Sequence, residues 1–106
     1  MANKYGNRRT FCDGMYFDSQ READRWIQLR LMQKAGEISD LMRQKSFELV
    51  PKNDRFRAVS YVADFVYTDC RTGAMVVEDT KGFRTDVYKI KAKLMYHKYG
   101  IEVKEL

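Results

Sequence analysis

Residues 58–67, AVSYVADFVY, carry β-branched and aromatic side chains at both odd and even positions. Because alternate side chains of a strand point to opposite faces, this run predicts a strand that is buried on both sides in the middle of a sheet. The chain has 106 residues, which suffices for one core of this kind and not for two. We therefore expect a single domain over residues 1–106.

Further strands are predicted before and after this run. A turn-like segment, DCRTG, leads into a strand at 74–81, so the two strands are expected to form a hairpin. Residues 38–50 read as one or two strands with an uncertain break near Gln44. A basic loop at 51–57 then connects them to the central run.

Two helices have clear start signals. Ser19 followed by Glu22 is a capping box, and it predicts a helix over 19–34. Apolar side chains recur along it at helical spacing, namely Ala23, Trp26, Ile27, Leu31 and Ala35. Thr85 opens a second helix, which we expect to end at Gly100 because glycine adopts the left-handed conformation readily.

The ends of the chain complete the predicted architecture. Two short strands around Asp13 and Gly14 form an N-terminal hairpin, and residues 101–103 form a last strand. The predicted fold class is therefore α/β, a small mixed sheet flanked by helices on both faces. We expect residues 1–8 to be flexible.

Composition excludes several classes of protein. No apolar run reaches 18 residues, so no membrane span is predicted. The basic N-terminus is not followed by an apolar stretch, which excludes a secretory signal peptide, and we expect a cytoplasmic protein. Two cysteines and one histidine are too few for a disulfide framework or a structural zinc site.

Asp64 in the central strand and Asp79 in the next strand are the most informative residues. If the hairpin turn is centred at residues 71–72, the two aspartates face each other with Cβ atoms roughly 5 Å apart. With strict alternation, Val62 and Val66 point to the same face of the sheet as Asp64. The opposite face then carries Tyr61, Ala63 and Phe65. Two facing carboxylates near a core repel each other and are costly to desolvate, so a cation is expected between them.

A divalent metal would be such a cation. Hard oxygen ligands suit Mg²⁺, with Mn²⁺ as a substitute. Lys81 lies two residues after Asp79 on the same face, where its ammonium can hold a water or stabilise a pentavalent phosphate. The alternative is a plain cross-strand salt bridge between Asp64 and Lys81. Glu78 falls on the other face, either toward solvent or as the partner of a helix.

Two further residues are open to a structural or a functional interpretation. Glu22 has a complete role in the capping box, yet it borders the buried flank of its helix and can lean toward the sheet as a metal ligand. On the second helix Val87, Ile90 and Leu94 mark an apolar stripe, and Lys91 falls inside it. Lys91 either extends its ammonium to solvent or reaches the metal site and the scissile phosphate.

Together these residues resemble the PD-(D/E)xK signature of the restriction-endonuclease-like nucleases. The match consists of Asp64 and, fifteen residues on, Asp79-Thr80-Lys81, after a helix that bears Glu22. Segments over nearly the whole chain, among them KYGN, YVADFVY and VEDTKG, are similar to a group of small phage and prophage proteins related to this superfamily. This chain departs from the signature at Ala63, where the signature has proline.

The resemblance implies an αβββαβ core with Glu22, Asp64 and Asp79 as metal ligands and Lys81 as the catalytic lysine, with Lys91 as a further candidate. It implies a Mg²⁺-dependent DNA endonuclease. A core this small suggests a homodimer, and paired cuts suggest branched DNA, as in a Holliday junction resolvase of phage recombination, replication or packaging, by analogy. A duplex-nicking endonuclease and a non-catalytic DNA-binding accessory protein are the alternatives.

The net charge of +5 is unevenly distributed along the chain. Residues 81–98 hold six basic residues and one acid, and residues 1–11 hold three basic residues and no acid. A charge run is often only a solvated face, but basic segments beside a metal site favour a nucleic-acid partner. The candidate DNA-binding residues are Lys4, Arg8, Arg9, Arg84, Lys89 and Lys93.

Overall fold

The computed structural model describes residues 9–80 and 84–106. Its elements in chain order are β1 (Thr10–Cys12), β2 (Met15–Phe17), α1 (Gln20–Lys34), β3 (Ile38–Val50), β4 (Val59–Asp69), β5 (Met75–Asp79), α2 (Asp86–Tyr99) and β6 (Lys104–Glu105). The predicted α/β class, the N-terminal hairpin and the αβββαβ order are confirmed. The expected flexibility of residues 1–8 lies outside the described residues.

The four larger strands form one sheet in the order β3-β4-β5-β6. β4 pairs antiparallel with β3 and with β5, as expected for the middle strand, and β6 pairs parallel with β5. The last strand begins at Lys104 rather than at residues 101–103 as predicted. Ile101 and Val103, just before it, pack against the core beneath α2.

Side chains cap both helices as the sequence predicts. The Ser19 hydroxyl accepts a hydrogen bond from the Glu22 backbone N–H at 3.1 Å, and the Thr85 hydroxyl accepts one from the Tyr88 N–H at 3.0 Å. Gly100 ends α2 with a φ of 69°, the left-handed conformation that a side chain would strain. Within the described ranges, no helix is long and apolar enough to cross a membrane.

α1 covers one face of the sheet, but with a different set of side chains from the predicted one. Ala23 and Leu29 are buried, whereas Ile27, Leu31 and Ala35 are exposed, so the predicted apolar face was wrong at these three positions. A polar contact fixes which side of α1 meets the sheet. Arg25 lies on the same side of the helix as Leu29 and donates a hydrogen bond to Glu78 in the sheet.

α2 covers the opposite face, and here the predicted stripe was wrong at two of its three positions. Tyr88 and Met95 are buried, two helical turns apart, whereas Val87 and Ile90 are exposed. Leu94 packs against the core as predicted. The aromatic ring of Tyr88 buries more apolar surface than Val87 would, so it sets the face that contacts the sheet. Lys91 is half-buried beside this face.

Candidate functional site

The register of β4 and β5 is the predicted one. Phe65 pairs with Glu78 and Val66 with Val77, and the same register continues to the turn. The pairing ends at Phe65 and Glu78, and Asp64 and Asp79 are the next residues of the two strands, directly beyond the last pair. Their exposures are 5% and 1%, so both carboxylates are inside the molecule.

The strand does not keep strict alternation at Asp64, and the predicted faces were wrong here. Ala63 and Val66 belong to the core cluster under α2, whereas Phe65 belongs to the cluster under α1. In a regular strand Ala63 and Phe65 would share a face. Gln44, which lies across from Asp64 on β3, has a φ of 54°, so the irregularity involves both strands. On either side of Asp64, the odd-numbered side chains of β4 therefore pack under different helices: Ala63 under α2 and Phe65 under α1.

Two residues that the sequence analysis did not single out hold the aspartates. The backbone N–H and the hydroxyl of Thr80 both donate to Asp64 Oδ2 at 2.8 Å, which leaves Oδ1 outside these two bonds. The Tyr61 hydroxyl donates to Asp79 Oδ2 at 2.8 Å. Burial, and then this hydrogen bond, raise the pKa of Tyr61, so it stays a neutral donor. Thr80 stands inside the Asp-Thr-Lys triplet and was identifiable from it, whereas Tyr61 carries no such signal.

Glu22 is buried in the first turn of α1 and contacts β3. Its Oε1 lies 3.4 Å from Gln44 Nε2 and 3.6 Å from a guanidinium nitrogen of Arg43. The capping bond from Ser19 uses only the backbone N–H of Glu22. The cap by Ser19 and the lean of the Glu22 side chain toward the sheet are therefore confirmed, whereas the capping role of its carboxylate and its role as a metal ligand stay predictions.

Glu78 is fully buried and paired with a helix, the second of its two predicted positions. Arg25 donates to it twice, from Nε to Oε1 at 2.8 Å and from an NH2 nitrogen to Oε2 at 2.6 Å. The Tyr67 hydroxyl also donates to Oε2. This carboxylate is compensated by a guanidinium and is part of the structural core.

The donor set at Asp64 and Asp79 fits a magnesium ion with few protein ligands. In the part of the chain that the structure describes, no group of three His, Cys, Asp or Glu side chains is placed to hold a metal ion. Glu22, Asp64 and Asp79 are thus not gathered into one three-carboxylate group. Mg²⁺ is commonly held by one or two carboxylates, with waters and substrate phosphate oxygens as its other ligands, so two aspartates are a sufficient donor set.

A family model described as a protein of unknown function (DUF1064) matches residues 2–105 of the chain. The chain belongs to the DUF1064 family. No curated protein and no solved structure matches the chain significantly.

The basic residues predicted for this DUF1064 chain have different surroundings. Lys81, Lys4 and Arg8 lie outside the described residues. The Arg9 guanidinium stacks 4.6 Å from the ring centre of Tyr16. Lys89 and Lys93 are exposed on the outer side of α2.

Arg84 of this DUF1064 chain has a partner of its own. Its Nε lies 2.6 Å from Glu105 Oε2 on β6. This close ion pair raises the pKa of Arg84, and contacts with Tyr88 and Arg84 lower the pKa of Glu105. Arg84 therefore joins α2 to the last strand, and a role in DNA binding would have to compete with Glu105.

Proposed function

We propose that this chain is a Mg²⁺-dependent endonuclease that hydrolyses DNA phosphodiester bonds in the cytoplasm, with Mn²⁺ as a substitute metal. The observation that carries this proposal is the position of Asp64 and Asp79, which stand directly beyond the last pair of two adjacent strands and are both buried. Two carboxylates so placed suit a divalent cation with hard oxygen ligands.

The contrast with Glu78 strengthens this interpretation. Glu78 is equally buried, and a guanidinium compensates its charge. Of the ion pairs formed among residues 9–80 and 84–106, none involves Asp64, whose donors are the neutral groups of Thr80. Within the described residues the charge of Asp64 is thus not compensated by a cation, and Lys81 lies outside them. Burying a carboxylate without compensation is costly, and functional sites are where such a cost is retained.

The chain's own residues would orient the reacting groups. A bound Mg²⁺ supplies Lewis acidity and a water of lowered pKa. Thr80 holds one oxygen of Asp64, and Tyr61 holds one oxygen of Asp79, so the two carboxylates keep their orientation when substrate arrives. Lys81 is proposed to stabilise charge on the phosphate, with Lys91 as a second candidate for this role.

Branched DNA is the proposed substrate, and a homodimer the proposed assembly. A branch point offers two strands for paired cuts, and a dimer provides two sites. The exposed Lys89 and Lys93 on α2 add positive charge for backbone phosphates. Selective nicking of plain duplex is the alternative within the same chemistry.

A DNA-binding protein without catalysis is the second candidate. It is favoured by the observation that the described residues contain no three-carboxylate group of the kind the resemblance implies. In that case Asp64 and Asp79 would serve packing and hydrogen bonding only.

A cleavage assay separates these functions. The full chain is incubated with an end-labelled four-way junction and with a linear duplex of the same sequence, in Mg²⁺, in Mn²⁺ and in chelator. Asp64→Asn keeps an oxygen that accepts from Thr80 and removes the charge. Glu37→Gln removes an exposed acid and is the matched control. We expect metal-dependent cutting of the junction that Asp64→Asn abolishes and Glu37→Gln retains.

Other results would change the assignment. Cutting that survives Asp64→Asn or chelator would refute the site. Equal cutting of both DNAs would favour the nicking enzyme, and binding without cutting in either metal would favour the accessory protein.

A further inference from the structure

The loop between β3 and β4 has a defined shape that displays one aromatic side chain. The Asn53 side-chain oxygen accepts hydrogen bonds from the backbone N–H groups of Arg55 and Phe56, each at 2.8 Å. The Asn53 N–H donates to the Phe56 carbonyl at 3.0 Å. These three bonds close a turn around residues 53–56, so the tip is held in place by its own side chain.

Phe56 at this tip is the most exposed large hydrophobic residue that the structure describes, at 69%. It makes no ring contact with any of the residues described, whereas the exposed Phe11 packs against Tyr16. A turn that displays an unpacked phenyl ring gains no stability from that ring. Its display is better explained by contact with a partner.

The charges around Phe56 indicate the chemistry of that partner. Three basic residues, Lys52, Arg55 and Arg57, lie close to Phe56 in the sequence, together with one acid, Asp54. All four side chains are exposed. None of these three cations takes part in an ion pair with another described residue. Other basic side chains of the fold are paired, for example Arg25 with Glu78 and Arg84 with Glu105.

We infer that this tip is a DNA-binding element in which Phe56 stacks on an unpaired or unstacked base, while Arg55, Arg57 and Lys52 contact the flanking phosphates. Aromatic side chains stack on bases with any sequence, and apolar wedges insert where base steps open. Guanidinium groups on either side of the ring match the phosphates that flank one base. The inference rests on the proposed function and deepens it, because it names branched DNA as the structure that the tip would recognise.

The tip is far enough from Asp64 to contact the same DNA arm at a second point. Val59 and Asp64 are five residues apart along β4, which is roughly 17 Å at the rise of an extended strand. Since stacked base pairs are about 3.4 Å apart, this length of β4 matches about five base pairs of a DNA arm laid along the strand. The tip, which precedes the start of β4, would therefore contact the same DNA as the aspartates at a separate point.

The test measures binding in chelator, so that it does not depend on cleavage. Affinities for a four-way junction and for a linear duplex of the same sequence are compared over a series of salt concentrations. Phe56→Ala removes the ring and Phe56→Trp keeps an aromatic one, while Leu31→Ala is the control for loss of an exposed apolar side chain. Arg55→Ala and Arg57→Ala remove the charges, and Arg71→Ala, in the turn after β4, is their control.

We expect Phe56→Ala to weaken junction binding by roughly tenfold or more, as removal of one stacked base contact does, and to change duplex binding much less. Phe56→Trp should bind like the wild type, and its added indole fluorescence should be quenched by the junction. Each arginine variant should weaken binding to both DNAs and reduce the salt dependence by about one phosphate contact. The controls should bind like the wild type.

Junction binding unchanged by Phe56→Ala would overturn the inference, and so would equal losses on junction and duplex. Binding of anionic phospholipid vesicles that Phe56→Ala abolishes, with DNA binding intact, would assign the tip to a membrane instead. Loss of junction selectivity in Phe56→Ala would support the tip even if the wild type cuts no DNA. Conversely, metal-dependent cutting with full junction selectivity in Phe56→Ala would leave the endonuclease proposal standing and remove this one.

Discussion

Arg25 on α1 and Glu78 on β5 are joined by two hydrogen bonds of 2.8 and 2.6 Å, and this pair connects the first helix to the centre of the sheet. Glu78 has no exposed surface, and the Arg25 side chain is 20% exposed. This ion pair holds α1 against the sheet, and α1 carries Glu22. The pair therefore also helps to position one residue of the candidate site.

Removing either partner of this pair should destabilise the fold. Arg25→Ala leaves the Glu78 carboxylate buried without a cation, so we expect a loss of about 3 kcal/mol in the free energy of unfolding. Glu78→Gln removes the partner of a half-buried guanidinium that water reaches, so its loss should be smaller. Urea unfolding followed by circular dichroism measures both losses. Arg71→Ala, which breaks a long and exposed contact with Asp69, should hardly move the midpoint. An Arg25→Ala variant as stable as the wild type would contradict the structural role.

Gln44→Gly should be more stable than Gln44→Ala. Both variants lose the contact with Glu22, but only glycine adopts a φ of 54° without strain. The expected difference in the free energy of unfolding is about 1 kcal/mol. Urea unfolding of the two variants side by side provides the measurement. If alanine proves equal to glycine, the backbone at Gln44 is not in the left-handed conformation.

Thr80→Val should impair metal-dependent cleavage while Thr80→Ser retains it. Valine removes the hydroxyl that holds Asp64 Oδ2 and keeps the backbone bond, whereas serine keeps both. We expect Thr80→Val to need a higher Mg²⁺ concentration for half-maximal rate and to lose about 1 kcal/mol of stability. Cleavage titrated against Mg²⁺ distinguishes this from a simple folding defect. An unchanged Mg²⁺ requirement would exclude Thr80 as a positioning residue.

Alkaline pH should unfold the protein through its buried tyrosines. Burial raises the pKa of Tyr61, Tyr67 and Tyr88, and hydrogen bonds to carboxylates raise it further for Tyr61 and Tyr67. Above pH 10 or so the unfolded chain releases these protons and the folded chain keeps them, so stability is full below that pH and falls as pH rises, by about 1.4 kcal/mol per pH unit for each tyrosine.

Tyrosinate absorbance and circular dichroism, followed together, test this expectation. The last tyrosines of the seven should ionise only as the fold is lost, and Tyr61→Phe should make the fall in stability with pH shallower. If all seven tyrosines ionise near pH 10 while the circular dichroism is unchanged, the hydroxyls are not buried as described.

Local signals in the sequence predicted most of the element order. The caps at Ser19 and Thr85, the end of α2 at Gly100 and the turn after β4 each depend on a few neighbouring residues. The same locality explains why the register of β4 and β5 was predictable, because a short turn allows few pairings. The sequence by itself therefore determined which elements form and the register that brings the two aspartates to adjacent strands.

The tertiary structure alone decided how these elements are turned against one another. The apolar residues of α1 and α2 allow more than one packing face, and the choice depends on partners far along the chain, such as Glu78 for Arg25. The loss of strand alternation at Asp64 involves Gln44, which lies in a neighbouring strand. The exposure of Phe56 depends on the absence of packing partners among the described residues. Burial and long-range polar contacts act between residues distant in sequence, so no local pattern encodes them.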